Sequence, residues 1–238
     1  MKALRLKLFQ ETACYKKPFA SKVAETYPLP PYSTVKGMIH ALLDASQFIP
    51  MRLSVQGTYE AKLLDYQRYY FFKKKELSSF PLVLDGLARM EFSYDKNEIT
   101  TMPMYTHLLH NVHLLIHVEA EQHILEQIIH AIEHSTTHYS LGRWEDLVRI
   151  DEYKLVEVQE LEEEGETLQR DAYIPRHLLD PETKSIPYQL NWKYEIVNGI
   201  RQWEKIHVGY VQKGIEAPEG VWIDEDGELV FYHLQEGQ

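Results

Sequence analysis

The sequence predicts an α+β fold, namely a ferredoxin-like βαββαβ domain with a thumb-like insertion and a β-rich C-terminal extension. Two observations carry this prediction. Apolar and polar residues alternate in several short segments, as in half-buried strands, and two further segments carry apolar residues at helical spacing. The segments follow one another as strand, helix, strand, a long insertion, and again strand, helix, strand. This is the chain order of the ferredoxin-like double unit.

The first strand and the first helix are predicted from the N-terminal residues. Leucines occupy every second position from Leu4 to Leu8, so one face of this strand should be buried and the other solvated. A proline-rich stretch that ends at Pro31 excludes a helix before it. Ser33 or Thr34 is then expected to cap a helix that runs from Thr34 to about residue 45.

The remaining elements follow the same two patterns. They are a strand at 51–59, a strand at 111–119, a helix at 121–134 and a strand at 147–158. We therefore expect a domain over residues 1–158, with an insertion at about 62–106, and an extension over residues 159–238. The insertion should contain a hairpin around residues 95–97. Asn198-Gly199 and Asp226-Gly227 predict two hairpin turns in the extension.

Composition places the chain among soluble globular proteins. Of its 238 residues 44% are hydrophobic and 26% are charged, and a chain of this length buries a substantial core. It contains no run of about 20 apolar residues, so we expect no membrane-spanning segment. Its start lacks the apolar core of a signal peptide, and the single cysteine, Cys14, excludes an internal disulfide. These features predict a cytoplasmic protein without a membrane partner.

Charge is distributed unevenly along the chain. The net charge is −11, but residues 1–118 have a balance of +5 and residues 119–238 a balance of −16. A basic half beside an acidic half favours a polyanionic partner that is held on one side only. The alternative is that acidic residues have gathered in solvated loops, such as the glutamate-rich segment at 160–166.

Two segments give the chain a resemblance to a known family. They are YPLPPYSTVKGMIHALL at 27–43 and LGRWEDLV at 141–148. A strand, a basic loop, a proline-rich entry and a Ser-Thr-x-Lys-Gly helix start resemble the CRISPR-associated Cas-five family. The segment at 141–148 is similar to that family's second recurring segment, which precedes the last core strand. Its members are subunits of the Cascade surveillance complex within the repeat-associated RNA-binding superfamily, and the resemblance is to subtype I-B.

The resemblance implies an RRM-like fold and an RNA-binding function. Family members grip and cap the 5′ handle of the crRNA in antiviral defence. The implied partners are that handle and other Cascade subunits, namely the backbone and the large subunit, and the insertion corresponds to the family's thumb. Most members are non-catalytic. One subtype instead cleaves precursor CRISPR RNA without a metal, through Tyr, Lys and His side chains.

The start of the first helix is one candidate RNA-binding site. Its unpaired backbone N–H groups and positive dipole end suit a phosphate near Ser33, Thr34 and Lys36. Three lysines of the preceding loop would add phosphate contacts, which position RNA without reading its sequence; they are Lys16, Lys17 and Lys22. The alternative for Ser33 and Thr34 is plain helix capping.

The insertion is the second candidate. Tyrosine and phenylalanine side chains at 66–72 lie close in sequence to Arg68, Lys73 and Lys74. Unpaired RNA bases stack on such rings, and the cations suit the backbone. The alternatives are that some of the rings belong to the core and that the lysines at 73–75 protect a solvated edge strand.

Two glycines add to these candidates. Gly37 lies inside the first helix, where glycine costs about 1 kcal/mol relative to alanine, so we expect close approach of another backbone there. Gly142 would let a phosphate or a strand approach Arg143, which is therefore a candidate RNA contact. A simple turn explains Gly142 equally well.

A metal-independent endoribonuclease that processes precursor CRISPR RNA is the alternative function. Such an enzyme needs a base near the 2′-hydroxyl and a cation near the phosphate. His40 follows Lys36 by one helical turn, and with Tyr32 or Tyr27 it would form a Tyr-Lys-His set. A satisfied surface histidine is the simpler interpretation, and the leading prediction assigns no catalytic residue.

Twelve histidines raise the question of a metal site. His130 and His134 are one helical turn apart, but no further ligand completes their set. His107, His110 and His113 lead into a strand, where a spacing of three alternates faces. We therefore expect neither a metal nor another cofactor.

Overall fold

The computed structural model describes residues 1–18, 20, 23–72, 99–161 and 165–233. It contains the helices α1, Tyr32–Leu42, and α2, Gln122–His134. The strands are β1 Lys2–Ala13, β2 Val23–Ala24, β3 Arg52–Thr58, β4 Ala61–Phe72, β5 Ile99–Glu119, β6 Tyr139–Ser140, β7 Leu147–Glu160, β8 Asp171–Pro175, β9 Ile186–Val197, β10 Ile200–Val211, β11 Trp222–Asp224 and β12 Leu229–Val230. Neither of these described helices is long and apolar enough to cross a membrane.

The strands form one large sheet, whose main path runs β12-β11-β7-β1-β5-β3-β8-β10-β9. β1 lies between β5 and β7 and is antiparallel to both, and β3 is antiparallel to β5. Helix α1 lies between β1 and β3 in the chain, and α2 lies between β5 and β7. The described residues thus form a mixed α and β structure with a large antiparallel sheet and two helices.

Both helices contribute to one core on one face of the sheet. The alternate leucines of β1 that were predicted to be buried lie in this core. Its members include Leu4, Leu6 and Leu8 of β1, Val35 and Ile39 of α1, and Leu125 and Ile128 of α2. The apolar stripes at helical spacing and the alternation in β1 therefore predicted the correct faces.

The other face of β1 is not solvated along its whole length, contrary to the prediction of a half-buried strand. Ala3 is fully buried in a cluster with Val156, Val230 and Tyr232, and Arg5 is only 3% exposed. The reason is that the C-terminal segment folds back across this end of the sheet. The covering residues lie at the far end of the chain, so the alternation in β1 could not reveal them.

The C-terminal extension continues the central sheet on both sides. β8 pairs with β3 and leads to the hairpin of β9 and β10, while β11 pairs with β7. Asn198 and Gly199 form the predicted turn between β9 and β10, and both have positive φ. Gly227 also has positive φ, in the predicted turn between β11 and β12. The division at residue 158 stays a prediction.

The insertion begins as a two-stranded arm, which we define as β4 with the first part of β5. Its pairing is continuous from Ala61 opposite His110 to Phe72 opposite Ile99. Strand β5 then passes Asn111, which has positive φ, and enters the centre of the sheet between β1 and β3. The hairpin predicted around residues 95–97 lies outside the described residues.

Candidate nucleic-acid interface

Helix α1 begins two residues earlier than predicted, and its start is capped differently. Pro31 is the N-cap residue, and its carbonyl accepts a hydrogen bond from the backbone N–H of Thr34. No side chain caps the helix, so the expectation that Ser33 or Thr34 does so is wrong. The helix starts at Tyr32 because that ring packs completely into the core and Pro31 already has a suitable φ. Ser33 and Thr34 are half-buried.

A groove of about 700 Å³ lies between α1, the loop that follows it and the hairpin of β9 and β10. The helix side carries Ser33, Lys36, Gly37 and His40, and the opposite side carries Phe48, Trp192, Tyr194 and Trp203. The predicted residues supply the helix side only. The aromatic side was missed because the β9–β10 hairpin reaches α1 through tertiary packing, for which no local sequence pattern exists.

Lys36 extends from α1 toward β9. Its Nζ donates a hydrogen bond to the backbone carbonyl of Trp192 and lies 4.4 Å from the centroid of that indole ring. The Phe48 ring centroid is 4.7 Å away from the same atom. A cation is attracted to the faces of aromatic rings. The charge that was predicted to hold a phosphate is therefore directed at the protein itself, where it holds β9 against α1.

His40 has both ring nitrogens engaged. Nδ1 lies 2.8 Å from the carbonyl oxygen of Lys36, and Nε2 lies 3.0 Å from the backbone nitrogen of Ile49. A backbone N–H can only donate, so Nε2 accepts and Nδ1 carries the proton. Burial lowers the pKa of His40, the Lys36 carbonyl opposes this, and the charge of Lys36 lowers the pKa further. The neutral ring has no nitrogen left to exchange a proton with a substrate.

Tyr32 does not join Lys36 and His40 in a catalytic set. Its hydroxyl donates to the backbone carbonyl of Tyr173 at 3.4 Å, inside the core. Complete burial raises the pKa of Tyr32 well above its ordinary value. The alternative partner, Tyr27, is half-buried in contact with another ring, and burial raises its pKa as well.

The arm presents a pair of tyrosines to solvent. Tyr66 of β4 and Tyr105 of β5 are direct cross-strand neighbours with ring centroids 5.5 Å apart, and they are 53% and 42% exposed. Arg68 lies two positions along β4, hence on the same face, and is also exposed. We call these three residues the arm face. Two rings and a guanidinium are the groups on which unpaired bases stack.

Tyr66 and Arg68 were predicted from the sequence, but Tyr105 was missed. Tyr105 could be found only from the register of β4 against β5, which depends on the long connection between them. Lys73 and Lys74 lie outside the described residues, as do the side chains at 69–72. For the aromatic rings at 69–72, RNA binding and packing in the core therefore both stay predictions.

Comparisons with known proteins decide the family. A family model described as CRISPR-associated protein (Cas_Cas5) matches residues 3–210. The chain belongs to the CRISPR-associated Cas5 family. The resemblance of its two sequence segments to that family is thereby confirmed, although a search of curated proteins found no match.

One solved structure shows the same fold as this Cas5-family chain. A chain described as "CRISPR RNA-guided surveillance complex" is 15% identical with a TM-score of 0.59, over 91% of each chain. A CRISPR protein from Archaeoglobus fulgidus is 13% identical with a TM-score of 0.47, over 98% of this chain and 100% of that one. At this identity the first similarity shows a common fold and no more.

The second family segment of the Cas5 chain, at 141–148, forms a braced loop. The Asp146 carboxylate accepts hydrogen bonds from the backbone N–H groups of Cys14, at 2.9 Å, and Arg143, at 2.8 Å. Gly142 has φ +116°, and a Cβ there would lie 2.7 Å from the Asp146 carboxylate. The group that comes close to Gly142 is thus the Asp146 carboxylate, which agrees with the interpretation of Gly142 as part of a turn. The Arg143 side chain pairs with Asp146 and Glu145, each at 2.7 Å.

The loop before α1 lies next to the arm and to β9. Lys16 is exposed, and Lys17 lies 3.4 Å from the Glu25 carboxylate. Lys17 is also 5.8 Å from the ring of Tyr188 on β9. The adjacent β2 pairs with the arm at Tyr105. Lys22 lies outside the described residues.

Gly37 does not have the neighbour that was expected. Within the described part of the chain, a Cβ at Gly37 would meet nothing within 4 Å. The prediction of close approach by another backbone of this chain is therefore wrong for these residues. Gly37 is exposed at the groove, where the missing side chain leaves the helix surface accessible.

The described histidines are spread over several parts of the structure, and His117 and His233 are buried. His130 and His134 stack on α2 with ring centroids 4.1 Å apart, and both are exposed. In the ranges that the structure describes, no three His, Cys, Asp or Glu side chains converge as metal ligands.

Proposed function

We propose that this Cas5-family chain is an RNA-binding subunit of a type I CRISPR Cascade complex, similar to subtype I-B, in antiviral defence. It would grip and cap the 5′ handle of the crRNA. The arm face carries this proposal, because two tyrosine rings that are more than 40% exposed stand beside Arg68. Base stacking on aromatic rings contributes about 1–3 kcal/mol per base, whatever the base.

The family supports the rest of the assignment. Cas5 membership and the fold shared with a chain of a CRISPR RNA-guided surveillance complex favour assembly with other Cascade subunits, the backbone and the large subunit. We interpret residues 1–158 as a ferredoxin-like, RRM-like domain, because β7, β1, β5 and β3 are neighbours in this order. We place the protein in the cytoplasm.

The loop before α1 contacts both the arm and β9, and these two contacts indicate a path for RNA. The loop touches the arm through β2, beside Tyr105, and it touches β9 through the contact of Lys17 with Tyr188. β9 continues from there to the groove along α1. RNA on the arm face would therefore pass the loop, where Lys16 and Lys17 can contact phosphates, and reach the groove.

The other candidate residues would have different roles in this function. Lys36 would position the groove wall, because its ammonium group is bound to the Trp192 carbonyl. Arg143 would stiffen the loop at 141–148 through Asp146. The function is non-catalytic, since Tyr32 is in the core and both nitrogens of His40 are engaged.

A double substitution of the arm face tests the function. Tyr66→Ala with Tyr105→Ala should weaken binding of a labelled 5′-handle RNA by about tenfold or more, measured by fluorescence anisotropy. The corresponding double substitution by Phe should bind like the unchanged protein, because the rings remain. Tyr153→Ala is the matched control, since Tyr153 is 40% exposed but contacts Glu133 of α2. Equal affinity of the double alanine variant and the control would refute the proposal.

A further inference from the structure

The sheet face opposite the helices is only partly covered by the C-terminal segment. The covered end contains Arg5 of β1 and His117 of β5, both buried beneath Asp224. Four positions along β1, at Phe9, the same face is no longer buried. His113 on β5 is exposed there, and so is Arg149 on β7. This open end of the face has no role in the arm or the groove.

Three side chains form a row across this open end. Phe9 stands directly opposite His113 on one side and Arg149 on the other. The rings of Phe9 and His113 are 5.0 Å apart, and the Arg149 guanidinium lies 4.5 Å above the Phe9 ring. We call Phe9, His113 and Arg149 the sheet row. An aromatic ring, an imidazole and a guanidinium plane thus lie on three adjacent strands, with His113 and Arg149 exposed and Phe9 half-buried between them.

We propose that the sheet row is a second RNA contact, on which an unpaired base stacks. This rests on the proposed RNA-binding function. In one common RNA-binding module, aromatic side chains of a four-stranded sheet stack bases, and imidazole and guanidinium planes act in the same way. A base on the sheet row would lie against the exposed His113 ring and the outer plane of Arg149, whose side chain is 65% exposed.

The position of the sheet row favours RNA over another protein as its occupant. His113 lies eight residues from Tyr105 of the arm face on the same strand, a separation of about 27 Å along β5. RNA of several nucleotides that is held by the arm face can therefore reach the sheet row along this strand. A base also fits the planar groups of the row, whereas an apolar protein surface would leave the charge of Arg149 and its partner Asp151 desolvated.

The charges around the sheet row are already paired within the protein. Arg149 pairs with Asp151, and Lys7 lies 3.4 Å from Glu152. A contact made by stacking releases few counterions, unlike a contact between a lysine and a phosphate. The sheet row should consequently add affinity without adding to the salt dependence of binding.

The test uses the full chain and a fluorescein-labelled single-stranded RNA from the CRISPR repeat. His113→Ala should raise Kd by about fivefold or more, and His113→Tyr should restore it, because a ring returns. The slope of log Kd against log salt should stay unchanged in both variants. His123→Ala is the control, since His123 is exposed on α2, on the other side of the sheet. Phe9→Leu keeps the apolar volume and removes a ring, and should also raise Kd.

Three outcomes would overturn the inference. The first is unchanged affinity in both His113→Ala and Phe9→Leu. The second is failure of His113→Tyr to restore binding, which would mean that stacking is not the contact. The third is normal RNA affinity with loss of assembly into the complex, which would assign the row to a protein subunit. If the arm-face variant loses RNA affinity and the His113 and Phe9 variants do not, the proposed function is supported and the sheet row is not an RNA contact. If the unchanged chain binds no RNA, both the proposed function and the sheet-row inference are wrong.

Discussion

Arg5 and Asp224 form a buried ion pair that joins the two ends of the chain. Nη1 of Arg5 and Oδ2 of Asp224 are 2.8 Å apart, and the two residues are 219 positions apart in the sequence. The same carboxylate oxygen lies 3.1 Å from Nε2 of His117. Since these residues belong to β1, β11 and β5, the cluster ties the C-terminal segment to the two central strands of the sheet.

Substitution of Asp224 by Ala should destabilise the fold strongly. Loss of one partner leaves the Arg5 guanidinium buried without its main counter-ion, which costs about 3–5 kcal/mol in the free energy of unfolding. Glu152 and Asp226 remain near Arg5 and are partly exposed, so we expect the lower end of this range. Urea denaturation followed by circular dichroism measures the change. Asp226→Ala is the control and should shift the midpoint little. A normal midpoint for Asp224→Ala would contradict the prediction.

Stability should also decrease as the pH falls, in two steps. Burial lowers the pKa of His117, although Asp224 opposes this, so the unfolded chain takes up a proton at a higher pH than the folded protein does, and stability begins to fall below about pH 6.5. Burial would raise the pKa of Asp224, but hydrogen bonds from His117, the Glu228 backbone and Arg5 outweigh it and hold the pKa well below its ordinary value. Stability from that carboxylate is present above about pH 4 and is lost below it.

The first step can be assigned by substitution. Urea midpoints are measured for the unchanged protein, His117→Gln and His123→Gln between about pH 7 and 5. The decrease should be smaller in His117→Gln, because one group with a lowered pKa is gone. His123 is exposed, so His123→Gln should decrease like the unchanged protein. Parallel curves for all three proteins would show that His117 does not contribute to the pH dependence.

The sequence predicted elements that depend on local pattern. Alternate leucines in β1 and the apolar stripes of both helices lie in one core, and the Asn198-Gly199 turn is present. The start of α1 was misplaced because burial of Tyr32, not a side-chain cap, determines it. Burial of Arg5 was missed because its cover comes from the other end of the chain.

For the candidate site too, the sequence predicted the residues that a local pattern marks and missed those that distant packing brings in. The resemblance to the family pointed to α1 and the insertion, and the structure places Lys36, Gly37 and His40 at one groove. Phe48 and Trp192 complete that groove, and Tyr105 completes the arm face, through strand register and tertiary packing. These arrangements join residues far apart in the chain, and a single sequence carries no signal of which distant strands pair.

Two substitutions of Gly37 should change stability and RNA binding independently. Gly37→Ala should raise the free energy of unfolding by about 0.5–1 kcal/mol, because the helix is favoured and no described atom opposes the new Cβ. Gly37→Glu should weaken RNA binding, since it places a negative charge at the groove. Ala41→Glu is the matched control, as Ala41 is exposed on the same helix but lines a different cleft. Equal RNA affinity of the two glutamate variants would exclude the groove from the interface.

RNA cleavage distinguishes the proposed function from the endoribonuclease alternative. The full chain incubated with end-labelled CRISPR repeat RNA in EDTA should leave the RNA intact on a denaturing gel. The reason is that His40 donates through Nδ1 to the Lys36 carbonyl and accepts through Nε2 from Ile49, while Lys36 is bound to Trp192. A general base must reach the proton that it removes. A single cut at a fixed position that disappears in His40→Ala would show that these hydrogen bonds open, and that the protein makes the handle it binds.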